Sequence, residues 1–322
     1  MTVAVTGAAG YIGSHVAHLL REQGVHVLAV DDMSAGVGAR IAELPLVELD
    51  LARDEAPGVL RAAFAQHQVR AVVHLAARKA VGESVEQPAR YYHQNVAGLA
   101  NLLTAMQQSG VDRLVFSSSA ATYGMPDVAA VDEDLECRPI NPYGETKLVG
   151  EWLVRAAARA HGLRAVSLRY FNVAGTARPE LADVVRANLI PIVLGRAAEG
   201  LPVVVNGGDY PTPDGTCVRD YVHVADLADA HVRALEHLDR DERPHDVLNV
   251  GTGTGASVLE VVDALSAALG REVPVEVGPR RDGDPPALVA SVERIRDVLG
   301  WQARRGLAEI CESAVAAARA RG

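Results

Sequence analysis

Val5-Thr6-Gly7-Ala8-Ala9-Gly10-Tyr11-Ile12-Gly13 is the stretch on which the fold turns. A short β-branched run at residues 3–5 leads into it, and the pattern beyond it predicts a helix over 15–23 that ends at Gly24. Glycine lets the chain turn tightly and brings bare backbone N–H groups against a pyrophosphate, while the start of a helix adds partial positive charge. The next predicted strand, 25–30, runs into Asp31-Asp32. A carboxylate at that point meets the hydroxyls of an adenine ribose and repels a 2′-phosphate, so the order of elements predicts a site for NAD in preference to NADP. The blander readings, glycines used for turns and a solvated acidic corner, stay open on these residues alone.

Beyond this stretch, short apolar runs alternate with helical stretches through the first half of the chain. Strands are predicted at 71–75 and 114–117, with one long helix over 91–109 that stops at Gly110. Runs such as Ala71-Val72-Val73 suit strands covered on both faces. The fold class is therefore α/β, a Rossmann-type doubly wound parallel sheet. After Arg169 prolines and glycines gather at 179–215 and again at 274–286, which suits a smaller mixed α/β lobe. The expected division is a cofactor-binding domain at 1–171, to which a segment at about 219–250 returns, and a substrate-binding domain at 172–218 and 251–322. A second glycine cluster, Gly251-Thr252-Gly253-Thr254-Gly255, follows a predicted strand at 247–250, but no acid-ended strand comes after it at the right distance. It is not read as a second dinucleotide loop.

The 322 residues carry a formal charge of −10, which leaves no basic surplus for a nucleic-acid partner. The three cysteines (Cys137, Cys217 and Cys311) are widely spaced and odd in number, which fits a reducing cytoplasm better than a disulfide framework. No charged leader precedes the first strand, and no apolar run reaches the roughly 20 residues that span a bilayer, so a cytoplasmic protein with no membrane partner is expected. His15, His74, His93, His223 and His231 lack ligand spacing on a common face, and no metal is expected.

Chemistry is carried by Tyr143-Gly144-Glu145-Thr146-Lys147. Asn141 and Pro142 read as the cap and first residue of a helix on which Tyr143 and Lys147 share a face. A phenol with a pKa near about 10 is a poor base at neutral pH, and both a neighbouring ammonium and the positive end of a helix favour its ionised form. The predicted strand at 114–116 runs into Ser117-Ser118-Ser119, which would place a hydroxyl at the carboxyl edge of the sheet to pass a proton toward Tyr143. An exposed helix and an ordinary serine-rich loop are the alternatives.

With these residues in place, the sequence resembles the extended short-chain dehydrogenases/reductases, and within them the UDP-galactose (UDP-glucose) 4-epimerases. The likeness runs over nearly the whole chain: TGAAGYIGSH (6–15), RKAVGESV (78–85), FSSSAATYG (116–124), NPYGETK (141–147), SLRYFNVAG (167–175), DYPTPDGTCVRDYVHVADLADAH (209–231) and PRRDGDPPALVAS (279–291). The GxxGxxG spacing of the opening loop agrees with that superfamily. The resemblance implies that Tyr143 exchanges the proton of a sugar 4-hydroxyl through Ser119, that NAD holds the C4 hydride while the sugar is a 4-keto intermediate, and that Lys147 holds the nicotinamide ribose. It implies cofactor contacts at Gly7, Gly10, Tyr11, Ile12, Gly13, Asp31, Asp50, Leu51, Lys79, Tyr143 and Lys147. For a UDP-sugar it implies Lys79, Ser119, Tyr143, Asn172, Asn188, Leu189, Arg219, Arg281 and Asp284, the arginines as a diphosphate clamp and Asp284 on the uridine ribose. A homodimer is implied by analogy.

Some positions depart from the family pattern. Asn206 stands where an aromatic often stacks on uracil, Gln94 replaces an asparagine near the cofactor phosphate, and the loop between Gly175 and Asn188 is short. Leu288 stands at the gate beside the sugar. A 4-epimerase for another nucleotide sugar, such as UDP-GlcNAc, UDP-glucuronate or a modified hexose, therefore stays open. A dehydratase needs acids beside the active hydroxyl, where this chain has Ala120 and Ala121, and a silent NAD-binding regulator usually lacks the tyrosine or lysine.

Overall fold

A computed structural model of the chain describes residues 1–240, 245–281 and 283–321. Residues 241–244 of the returning segment, Asp282 of the second loop-rich stretch and Gly322 at the end of the substrate-binding range lie outside the described residues. Thirteen strands are described. The first seven are β1 (Thr2–Thr6), β2 (His26–Asp31), β3 (Leu46–Glu48), β4 (Val69–His74), β5 (Arg113–Ser119), β6 (Arg164–Tyr170) and β7 (Asn172–Ala174). The others are β8 (Val203–Asn206), β9 (Val218–His223), β10 (His245–Val250), β11 (Gly255–Ser257), β12 (Val275–Gly278) and β13 (Ala287–Leu288).

The chain divides into two compact units, the first made of Met1–Gly124, Cys137–Arg169 and Ala228–Leu248. Its seven-stranded sheet runs in the order β10-β6-β5-β4-β1-β2-β3. β1 pairs in parallel with β2 and β4, β2 with β3, and β4 with β5. The chain winds outward from β1 in one direction and then in the other, which makes the carboxyl end of β1 the switch point where such sheets bind ligands. Val3, Ala4 and Val5 are wholly buried, so β1 shows no alternation of apolar and polar residues. Leu28, Leu60, Phe64, Val72, Leu99, Leu102 and Leu114 belong to the core on which this unit is built.

The helices of this part are α1 (Tyr11–Glu22), α2 (Ala56–His67), α3 (Val81–Glu86), α4 (Pro88–Tyr92), α5 (Gly98–Ser109) and α6 (Pro142–His161). Helix α1 begins directly at the glycine loop, four residues before the hydrophobic pattern becomes legible. The long helix predicted for 91–109 starts earlier, at Pro88, and a π-helical turn at His93–Ala97 separates α4 from α5. That turn carries Asn95 inward, where its amide accepts from Arg78 N (2.8 Å) and donates to Arg78 O (3.0 Å) and Thr146 Oγ1 (3.0 Å). At the start of α6 the Asn141 side chain accepts from Gly144 N (2.9 Å), Pro142 fills the first turn, and Gly162 at φ +69° closes the helix.

The second unit consists of Met125–Glu136, Tyr170–Leu227 and Asn249–Gly322. Its sheet is β11-β9-β13 with β7 also on β9, beside a separate β8–β12 pair. α7 (Leu189–Glu199), α9 (Val258–Leu269), α10 (Glu293–Leu299) and α11 (Leu307–Ala320) lie in its chain segments, while α8 (Val224–Arg240) begins in this unit and ends in the first. Ile190, Val193, Val261, Leu265, Ile310 and Val315 belong to its core.

The division differs from the sequence-based one by two residues at 169/170 and at 248/249, and more widely at two other segments. The returning segment starts at Ala228 rather than near 219, because β9 is the strand on which β7, β11 and β13 all pair. The stretch Met125–Glu136 clusters with the second unit because Val131 bridges Ala290 and its carbonyl accepts from Asn249 Nδ2 (2.9 Å). Among the described residues no helix is long and apolar enough to cross a membrane.

Candidate active site

Gly7 closes β1 at φ +69°, and its N–H donates to Val30 O (2.8 Å). A Cβ there would sit 2.7 Å from Ala76 N, and one at Gly13 would collide with Gly7 O, so the loop admits only bare backbone at both points. Gly10 caps the twelve-residue α1 without any side-chain bond, and the start of a helix suits an anion. Asp31 is buried at the end of β2, and its carboxylate accepts from Ala9 N (2.9 Å) and Met33 N (3.0 Å). Burial raises its pKa and those two bonds oppose the rise. Asp31 thus braces the glycine loop. This cradle, which a Cβ would fill, fits a dinucleotide.

Elsewhere the cofactor expectations meet a mixed geometry. Asp50 accepts from Ala52 N (2.9 Å) and from Gln94 Nε2 (3.2 Å), so Gln94 spends its amide on that carboxylate. Leu51 packs its side chain into the core and has only backbone to offer, and Lys79 is exposed. Tyr11 is buried and Ile12 half-buried. Replacing Asp31 with alanine is expected to weaken NAD by about 10- to 100-fold, the worth of hydrogen bonds to a charged group, and to weaken NADP less. Titration of both cofactors checks this, and an unchanged preference would remove Asp31 from the ribose.

Ser119, Tyr143 and Lys147 come together at the end of β5. The Ser119 hydroxyl accepts from Ala121 N (3.1 Å) and is hydrogen-bonded to Tyr143. Gly144 allows α6 to approach that turn, since a Cβ there would lie 2.5 Å from Ala121 O. Lys147 is buried and donates to Ser117 O (2.8 Å), with Nζ 5.9 Å from the centre of the Tyr143 ring. Burial pushes the Lys147 ammonium down to about 7, opposed by the Glu151 carboxylate. Burial also pushes the Tyr143 phenol above its ordinary value, opposed by the Ser119 hydrogen bond. The features that favour the ionised phenol thus stand against a desolvation that raises it. Ala120 and Ala121, in the turn after Ser119, bring no acid to its hydroxyl.

Sequence reading missed the polar group behind this triad. Arg169 from β6 donates to Glu151 through Nε (2.8 Å) and Nη2 (2.6 Å), and through Nη1 to Tyr123 Oη (3.0 Å). Ser118 Oγ donates to the same carboxylate, and all three of Ser118, Glu151 and Arg169 are buried. The signal for Glu151 was its place four residues after Lys147 and eight after Tyr143, on one stripe of α6.

His74, at the end of β4, pairs its Nδ1 with Thr6 Oγ1 (2.7 Å). Burial, helped by the Lys147 charge, drives its pKa down to about 3. The folded pKa lies below the unfolded one, so this neutral imidazole contributes stability above about pH 6.5 that is lost as pH falls toward the folded value. Wild type and His74→Gln should therefore diverge in unfolding free energy by about 1.4 kcal/mol per unit between pH 6 and 4. Parallel curves would refute that assignment.

In the second unit Arg219, Arg281 and Asp284 form one cluster. Arg281 donates to Asp284 through Nε (3.0 Å) and Nη2 (2.8 Å), and Arg219 Nη2 lies 3.5 Å from the same carboxylate. Arg219 is fixed by Pro285 O (2.8 Å), whereas Arg281 is 67% exposed and able to turn toward a ligand. Asn188 stands at the cap position of α7, directly before Leu189, but gives its side chain to Asp183 (2.9 Å). Asn172 is exposed on β7, and Asn206 is exposed at the end of β8. Leu288 pairs in register with Arg219. The loop beginning Gly251-Thr252-Gly253 is no phosphate cradle: its Thr252 and Gly253 N–H groups donate to the buried Asp220 (2.8 and 3.0 Å). Among the described residues, no group of three or more His, Cys, Asp or Glu side chains is placed to hold a metal ion.

The sequence profile of the NAD dependent epimerase/dehydratase family matches residues 3–251. The chain belongs to that family. Within this epimerase/dehydratase family, the UDP-glucose 4-epimerase of Azospirillum brasilense is 48% identical over 307 residues, covering 93% of this chain and 86% of the relative. The solved UDP-glucose 4-epimerase of Stenotrophomonas maltophila, with bound NAD and formylated UDP-arabinopyranose, matches with a TM-score of 0.95 and 40% identity, over 100% of this chain and 98% of that one. That of Brucella ovis in complex with NAD matches with a TM-score of 0.90 and 41% identity, over 98% and 97%.

Proposed function

We propose that the protein is an NAD-dependent isomerase that inverts C4 of a UDP-hexose, interconverting UDP-glucose and UDP-galactose. The hydrogen-bonded Ser119–Tyr143 pair beside Lys147, followed in the chain by Ala120 and Ala121 and not by acids, is the observation that carries the reading. When bound, NAD supplies a reversible hydride acceptor, and Gly7, Gly10, Tyr11, Ile12, Gly13, Asp31, Asp50, Leu51, Lys79 and Lys147 would hold it. Tyr143 Oη takes the proton of the sugar 4-hydroxyl and later returns one, with Ser119 bridging the transfer. Lys147 keeps positive charge beside the phenolate as it forms. The alanines have no proton to give to a neighbouring leaving group, which separates this chemistry from elimination.

The UDP moiety is assigned to Asn188, Leu189, Arg219, Arg281 and Asp284, and the sugar to Lys79, Ser119, Tyr143 and Asn172. Arginine suits the diphosphate because its planar fork donates two aligned N–H bonds. Arg219→Met should weaken UDP about 10- to 100-fold, the worth of a charge-assisted bond, which calorimetric titration of UDP measures. Unchanged affinity would take Arg219 out of the clamp. We further assign the protein to the cytoplasm, to galactose metabolism and to a homodimeric state, the last checked by light scattering. The decisive assay follows C4 inversion on UDP-galactose, UDP-N-acetylgalactosamine and UDP-glucuronate. Absence of turnover on UDP-galactose would overturn the hexose assignment.

A further inference from the structure

We infer that Glu151 is a positioning residue for the reaction: clamped by Arg169 and Ser118, it fixes α6 on the end of β5 and supplies the counter-charge for Lys147. The inference rests on the epimerase reading of the Ser119–Tyr143–Lys147 group. Tyr143, Lys147 and Glu151 follow each other at intervals of four along α6 and make three successive polar contacts with one strand end. Tyr143 bonds the Ser119 side chain, Lys147 the Ser117 carbonyl (2.8 Å) and Glu151 the Ser118 hydroxyl. The three contacts hold three consecutive residues of β5 against one helix, the last of them the residue that carries the reacting hydroxyl. A shift of Ser118 would carry Ser119 with it.

Arg169 locks the carboxylate of the third contact. Its Nε and Nη2 take both Glu151 oxygens (2.8 and 2.6 Å), and its own plane is held by Tyr123, whose ring centre lies 4.9 Å from the guanidinium carbon. Around Lys147 stand Tyr143 and Glu151 from α6, neutral His74 from β4 and the Phe116 ring from β5 (5.4 Å), with Arg169 of β6 paired to Glu151. Glu151 is the carboxylate whose field favours the charged lysine against burial.

Glu151→Gln tests this, because glutamine keeps the shape and the Ser118 bond and removes the charge. The expected result is about tenfold lower kcat near neutrality, unchanged KM and NAD content, and an alkaline limb of the kcat profile moved acidward by about one unit, the size of a lost neighbouring charge. A lower Tm with an unmoved limb would make Glu151 merely structural and overturn the inference. If the single variant does not fold, Glu151→Gln with Arg169→Met replaces the buried pair by neutral groups, and the same limb shift is expected. A direct titration of the Lys147 Nζ resonance by NMR separates the two readings. If wild type inverts no UDP-hexose while that titration still shifts in the variant, the epimerase reading fails and the counter-charge stands; an unshifted titration in an active enzyme overturns the counter-charge alone.

Discussion

Tyr143→Phe is expected to lower kcat for C4 inversion by about 10²- to 10⁴-fold, the usual share of a positioned acid/base group, while Tm and NAD content stay at wild-type levels. The substitution removes one oxygen. The ring keeps its place beside Lys147, and Ser119 keeps the Ala121 N–H that orients it. The phenol is pushed up in the free chain, so the acid limb of the wild-type profile should report how far the assembled complex brings it down. Near-normal turnover in the variant, measured by a coupled assay on UDP-galactose, would remove Tyr143 from the chemistry.

Arg169→Met carries the largest expected loss of stability, about 3–5 kcal/mol, because it strands a buried carboxylate without its partner. Glu151 and Arg169 are 4% and 5% exposed, so water does not rescue either of them. The double variant with Glu151→Gln should recover most of that loss, since replacing a buried pair by neutral groups is often neutral or better. Denaturant unfolding of the two variants measures the difference. Equal losses in single and double variants would show that the ion pair is not the source.

The cofactor half of the molecule was legible because its signals are local. A strand, a glycine loop and an acid-ended strand follow one another within about thirty residues, which is the scale of one βαβ unit. The helix cap at Asn141 and the Tyr143–Lys147 spacing are local in the same sense. The return of the chain near residue 228 was not, since Val218–His223 reads as a strand in either unit and only its pairing with β7, β11 and β13 decides. The Glu151–Arg169 pair joins a helix to a strand 18 residues on; the four-residue spacing on α6 points to Glu151, and nothing local points to its partner. The direction of the Tyr143 shift was likewise hidden, because spacing gives the neighbours of a group and not how dry its surroundings are.

Strand β10 has a consequence for how the chain is made. Six strands of the large sheet are synthesised by Tyr170, but their partner at the outer side of β6 arrives only with His245–Val250. During translation β6 therefore presents a bare row of N–H and C=O groups, a template for pairing with the wrong chain. No single cut separates the two units either, since the chain passes from one to the other at 124/125, 136/137, 169/170, 227/228 and 248/249. A fragment ending before His245 should collect in the insoluble fraction, and a synthetic β10 peptide supplied in trans should draw part of it back into solution.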